Sequence, residues 1–353
     1  MKMRRKVKLL LIALSLCCSA AASAAITGDC VDCHTMHDSQ DGSVIASGGP
    51  VGKLLTSDCV GCHSSTTSST IVTVGSSRVP IVYNQAAPTK PLAGGNFHWV
   101  VENGDNHGHN VFGIVGQDST LSMAPGGDPG FASLDNCAVC HAALEKGCES
   151  CHWPRHHATG DADGIAGQAD GWYRFLGSAM DAADPTDTGT TAVGKPGVIG
   201  VEDADWEQNP SSIAHNVYKG ATNYSDGDSY YPYENSIGSL CTGCHENFHN
   251  SMIVGPLGVW IRHPSDVVLP NSGEYADYTT YDPLAPVAKQ TLDGSVPSTI
   301  THDSDVVTCL SCHRAHGSPY PDMLRWDYEN ECVSGGDAAA CGCLVCHTAK
   351  DGI

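Results

Sequence analysis

Apolar residues form one long run in this chain, and it lies at the start. MKMRRKVKLLLIALSLCCSAAASAA places a basic stretch before about ten apolar residues and then the small residues Ala22, Ser23 and Ala24. The run is shorter than the ~20 residues that a bilayer-spanning helix requires. Residues 1–24 therefore read as a secretory signal peptide and residues 25–353 as a single domain. Leu16 stands where lipid attachment at Cys17 would need a small residue, which argues against a lipoprotein. No later segment is apolar enough to span a membrane. Glycine (39) and proline (19) interrupt the remaining pattern throughout, so loops and short helical turns are expected, with little or no sheet.

Composition adds a difficulty. A chain of 353 residues is long enough to bury a core, yet Leu, Ile, Val and Phe together number only 67 and the formal net charge is −21. That pairing usually marks disorder, so something other than side chains must fill the interior. Removing the leader takes away Lys2, Arg4, Arg5, Lys6 and Lys8 and leaves 13 basic against 39 acidic residues, a net charge of 13 − 39 = −26. Nucleic acid is excluded as a partner on those numbers, and solubility outside the cell accounts for the acid.

The chemistry lies in a motif that occurs seven times. C-x-x-C-H runs from Cys30 through Cys33 to His34, Cys59 through Cys62 to His63, Cys137 through Cys140 to His141, and Cys148 through Cys151 to His152. It recurs from Cys241 through Cys244 to His245, Cys309 through Cys312 to His313, and Cys343 through Cys346 to His347. Two thiols one helical turn apart can form thioethers with the two vinyl groups of one haem, and the adjacent histidine reaches the iron. Disulfides or zinc sites would not place a histidine after every second cysteine. Seven c-type haems are thus expected, and seven large apolar macrocycles supply the interior that the side chains lack. The implied fold class is a multihaem cytochrome c: mostly loops with short helices wrapped around a stacked haem chain. Cys332 and Cys341 lie outside any motif, nine residues apart, and are expected to form a disulfide.

Each iron needs a ligand on its far side, and eleven histidines remain for seven positions. His37, His249 and His316 follow a motif histidine by three or four residues, too close to pass around the same macrocycle, so each serves another haem or none. His109 follows Gly108, and His263 precedes the stiffening Pro264. His98 and His302 are further candidates. Of His156 and His157 in WPRHHA one is expected to ligate, with His157 favoured; His107 and His215 are set aside as surplus. Counting the adjacent pair once leaves eight candidates for seven places. All-histidine coordination implies electron transfer rather than catalysis, since an enzyme keeps one iron position open.

CVDCHTMHDS, GHNVFG, CTGCHENFHNS with IRHP, CLSCHRAHGS with DMLRW, and CLVCHTAKDG occur in that order along the mature chain. In these segments the sequence resembles the filament-forming outer-surface multihaem cytochromes of metal-reducing bacteria, the hexahaem outer-membrane cytochrome S type above all. The resemblance implies a continuous stack of bis-histidine haems in subunits that polymerise into an extracellular wire. It also implies that the histidine at the position of His37 ligates a haem of the neighbouring subunit. This chain departs from the hexahaem pattern in the middle, where the motifs at Cys137 and Cys148 place two haems close together. Expected partners are further copies of the chain, upstream and downstream redox proteins, and extracellular acceptors. Two rival readings are a soluble monomeric periplasmic shuttle and a multihaem oxyanion reductase, the latter without a C-x-x-C-K motif to support it.

Overall fold

Two thiols three residues apart face the same way only across one turn of helix, and that turn is the commonest element of the fold. The structure, a computed structural model, describes residues 29–35, 39–40, 43–44, 58–127, 138–141, 146–152, 156, 165–166, 173–177, 197–222, 235–245, 248, 252–255, 258–261 and 263–349. Helical turns over Cys59–His63, Ala138–His141, Lys146–Glu149, Ile237–Thr242, Cys309–Cys312 and Cys343–Cys346, with a 3-10 turn at Cys30–Asp32, carry the seven motifs. In these turns the motif histidine donates its backbone N–H to the first cysteine's carbonyl, as His34 does to Cys30 at 2.8 Å and His347 to Cys343 at 2.9 Å. Isolated turns this short do not hold themselves. Local caps help: the Asp58 carboxylate accepts from Gly61 N at 3.1 Å, and Thr308 with Ser311 closes a capping box before Cys309.

Strand content among the described residues is slight, as expected from the glycine and proline pattern. It consists of two-stranded ladders two to four residues long, such as Ile71–Val74 against Ser77–Pro80 and Met252–Gly255 against Gly258–Ile261. Among the described residues, clustered buried apolar side chains form three small groups instead of one core. The first gathers Tyr173, Val198, Tyr218, Ile237 and Val306; the second Leu269, Tyr278, Tyr281 and Val287; the third Phe97, Val100 and Val111. Cys332 and Cys341 are disulfide-bonded, as the sequence suggested.

A crossing of distant loops holds His316. His316 N donates to Gly94 O at 2.7 Å, Asn96 N to Gly317 O at 3.0 Å, and Ser318 N to His107 O at 2.9 Å. Residues 316–318 are thereby threaded between the loop before His98 and the turn that carries His107 and His109. Arg314 clamps the same crossing by donating to Leu92 O and Ala93 O, and its burial, reinforced by Arg325 nearby, pulls its pKa down to about 9.

Candidate haem-binding sites

None of the thirteen motif cysteines that the structure describes is in a disulfide, whereas the two cysteines outside the motifs are paired. That separation is what thioether attachment demands, because each thiol must remain available to a vinyl group. Thiols of different motifs also approach one another. Cys59 and Cys148 share a hydrogen bond, as do Cys241 and Cys309. Cys33 lies within electrostatic reach of Cys62, Cys151 of both Cys140 and Cys244, and Cys312 of both Cys343 and Cys346. The trio of Cys332, Cys341 and Cys343 sulfurs is no metal site, since two of the three are tied up in the disulfide.

The histidine rings are oriented by a shared device. His63 Nδ1 meets Pro80 O at 2.8 Å, His152 Nδ1 meets Arg174 O at 2.9 Å, His245 Nδ1 meets Pro125 O at 2.7 Å, and His313 Nδ1 meets Asp322 O at 2.8 Å. Among the far-side candidates, His98 meets Asn84 O at 2.9 Å, His109 meets Ala315 O at 2.6 Å and His263 meets Pro264 O at 3.0 Å, each through Nδ1. A carbonyl only accepts, so Nδ1 carries the hydrogen and Nε2 the lone pair, the form in which a neutral imidazole binds iron. His347 does the same against a carboxylate, Glu274 Oε1 at 3.0 Å. Burial holds several of these rings in the neutral form. It lowers the pKa of His63 and His152, brings His245 to about 4 with help from the nearby His109, and brings His316 to about 3 with help from His152.

The rings then meet in pairs. His63 faces His156 at 6.2 Å between ring centres, His152 faces His316 at 5.9 Å, His245 faces His109 at 5.9 Å, and His347 faces His263 at 6.1 Å. Two imidazoles that bind one iron from opposite sides hold their ring centres about 6 Å apart, given metal–nitrogen bonds of about 2 Å. The residues therefore fit haem iron: each pair joins one motif histidine to one candidate from a distant segment at that separation. Among the described residues His316 Nδ1 is buried with no hydrogen-bond partner, so no acceptor fixes the hydrogen there.

Other positions depart from this pattern. His302 turns its Nε2 to Tyr275 O at 2.9 Å, which leaves Nδ1 as its free nitrogen. His141 Nε2 meets Asn110 Oδ1 at 3.2 Å, and its ring forms one wall of an open cleft of about 410 Å³ with Phe112, Ile114, Val115 and Gln117. His107 and His215, surplus by the sequence pattern, both donate Nδ1 to carbonyls, of Ser318 at 3.2 Å and Ser211 at 3.0 Å. His215 is also stacked on Tyr281 at 3.5 Å. Nothing in the sequence marks these two apart from other histidines, because their partners are backbone carbonyls. Of the two adjacent candidates, His156 is the one facing His63; His157, which the sequence favoured, lies outside the described residues, as do His37, His249 and Cys137. Among the described residues no helix is long and apolar enough to cross a membrane.

Residues 302–352 match the doubled C-x-x-C-H motif family, which spans the last two motifs. Across 96% of this chain and 89% of the relative, the sequence is 27% identical to the C-type cytochrome OmcS of Geobacter sulfurreducens. The fold is similar to that of the outer membrane cytochrome S filament from the same organism, with a TM-score of 0.52 and 21% identity over 86% of this chain and 84% of that one. A second structure, of OmcS nanowires, is similar at a TM-score of 0.45, with the same identity and coverage.

Proposed function

We propose that this chain, an OmcS-like multihaem c-type cytochrome and so an electron-transfer protein rather than an enzyme, conducts electrons along seven covalently held haems in an extracellular filament of its own copies. The observation that carries the reading is the set of four opposed histidine pairs at 5.9 to 6.2 Å. On it, His63 and His156 hold one iron, His152 and His316 a second, His245 and His109 a third, and His347 and His263 a fourth. His34, His141 and His313 hold the remaining three from the motif side, with far-side ligands drawn from His37, His98, His157, His249 and His302. Haem iron supplies a reversible one-electron couple, and two histidines per iron favour low potentials. The protein's part is to fix rings such as His63, His152, His245 and His347, through Nδ1, so that little reorganisation accompanies the electron's passage.

The thiol contacts support close spacing of the haems, because Cys59 with Cys148 and Cys241 with Cys309 bring two attachment points together in each case. Filament assembly rests on the likeness to OmcS, whose solved structures are filaments. His37 is the link between subunits in this reading, supplied to a haem of the next copy, and residues 1–24 are removed on export. The test is His37→Ala in the secreted protein. Seven haems by intact mass with no filaments in electron micrographs is the expected result. Unchanged filaments refute the exchange, a mass with fewer haems refutes the count, and a wild-type protein that stays monomeric returns the soluble shuttle.

A further inference from the structure

Arg174 and Phe175 have the left-handed backbone that residues with a side chain seldom adopt, at φ 47° and 56°. Two such residues in succession persist only where their surroundings hold them. Here they are held from two sides. Gly177 N donates to Cys151 O at 3.0 Å on the side of the fourth motif, and Tyr173 N donates to Val198 O at 3.0 Å on the other. Tyr173 is buried edge-on against Tyr218, with 5.5 Å between ring centres. The arginine fastens the turn itself. Glu202 Oε1 accepts from Arg174 N at 2.8 Å, and Glu202 Oε2 lies 3.3 Å from Arg174 Nη1. Arg174 Nη2 donates to Asp203 O, and the guanidinium lies over the ring of Trp206.

The turn meets two histidines that belong to different pairs. Arg174 O accepts from His152 Nδ1 at 2.9 Å, and the Phe175 ring lies 5.9 Å from the ring of His156. His152 faces His316, whereas His156 faces His63. We propose that Arg174 and Phe175 are positioning residues shared by two irons: one strained turn, locked by Glu202, sets the ring plane of His152 on one haem and of His156 on another. This rests on the histidine pairing given under the proposed function. A carbonyl on Nδ1 fixes the rotation of the His152 ring, and an aromatic ring beside His156 limits the rotation of that one. Neither contact reaches the iron, so the turn acts through the ligands. Because the contacts come from adjacent residues, any movement of the turn is felt at both haems. The imidazole planes cross at 23° in the His63–His156 pair and at 47° in the His152–His316 pair. The low-spin g values of a bis-histidine haem follow that angle, so the two irons give separate signals.

Electron paramagnetic resonance of the oxidised, haem-loaded, full secreted protein tests this. His156→Met and His316→Met each replace one far-side ligand and so identify the two signals. Glu202→Ala removes the carboxylate from the turn without altering either ring. It is expected to keep the parent haem number by intact mass and to shift both identified signals, with the others in place. Phe175→Leu is expected to shift the signal of the His63–His156 iron and to leave that of the His152–His316 iron where it was. Should Glu202→Ala lose haem, Trp206→Leu, which takes away the ring under the guanidinium, is read in the same way. A shift of one identified signal alone, or of neither, overturns the shared turn. Equal broadening of every signal overturns it too, because a general loosening of the fold would do the same. If His156→Met and His316→Met leave all signals unmoved, the histidine pairing itself fails and takes the shared turn with it, a result told apart because no residue of the turn has been changed.

Discussion

A histidine that binds iron presents one nitrogen bare, and the acceptor that meets its second nitrogen tunes the metal. Most of the described rings use a carbonyl; His347 uses the Glu274 carboxylate at 3.0 Å. A negative acceptor pulls the Nδ1 hydrogen and makes the ring a stronger donor to ferric iron. Glu274→Gln keeps the hydrogen bond and removes the charge, so one step of the redox titration should move to higher potential by about 60 mV, the tenfold end of such effects for a one-electron couple. Spectroelectrochemistry of the purified variant checks this, and identical titrations for both proteins reject it. At this scale the sequence told much. The motif histidines were plain, and His109, His156, His263 and His316 stood among the candidates that the structure pairs with them. Their carbonyl partners at Pro80, Arg174, Pro125 and Ala315 were illegible, because every residue offers a carbonyl and its identity carries no signal. Glu274, 73 residues from His347, was hidden for the same reason that any non-local pair is.

Elements here are turns and loop crossings, and their sequence signals divide accordingly. The helical turns were implied by the chemistry of the motif, and the broken pattern of glycine and proline foretold how little strand would form. The crossing of residues 94–97 with 316–318 had no local mark, although it positions His316. Gly95 (φ 83°) and Gly317 (φ 133°) both sit where a side chain is strained, and a Cβ on Gly95 would stand 1.9 Å from Gly317 O. The backbones touch because neither residue has a side chain. Gly95→Ala should therefore force the strands of the crossing apart, cost about 1–3 kcal/mol or more, and draw His316 away from His152. A lowered melting temperature should accompany a changed low-spin signal from a single haem in electron paramagnetic resonance. A variant with both unaltered would show that the crossing does not hold His316 in place.

For the whole molecule the question is what makes so polar a chain fold. Among the described residues its clustered buried apolar side chains are split among three small groups, far short of the continuous core that usually offsets the entropy of ordering a chain this long. Backbone hydrogen bonds cannot make up the difference, since an unfolded chain forms them with water. The disulfide between Cys332 and Cys341 closes only a short loop near one end. Apolar surface must therefore come from outside the polypeptide, and the motif turns lie where it attaches, with thiols of different motifs adjacent. Exported from cells unable to attach haem covalently, the full chain should give a far-UV circular dichroism spectrum without helical features and amide exchange near the random-coil rate. The haem-loaded protein should be protected most strongly at the crossing around His316 and at the motif turns. A haem-free chain that melts cooperatively would mean that the side chains form a sufficient core after all, and the dispersion of Tyr218, Leu269 and Phe97 into separate groups makes that outcome physically hard to reach.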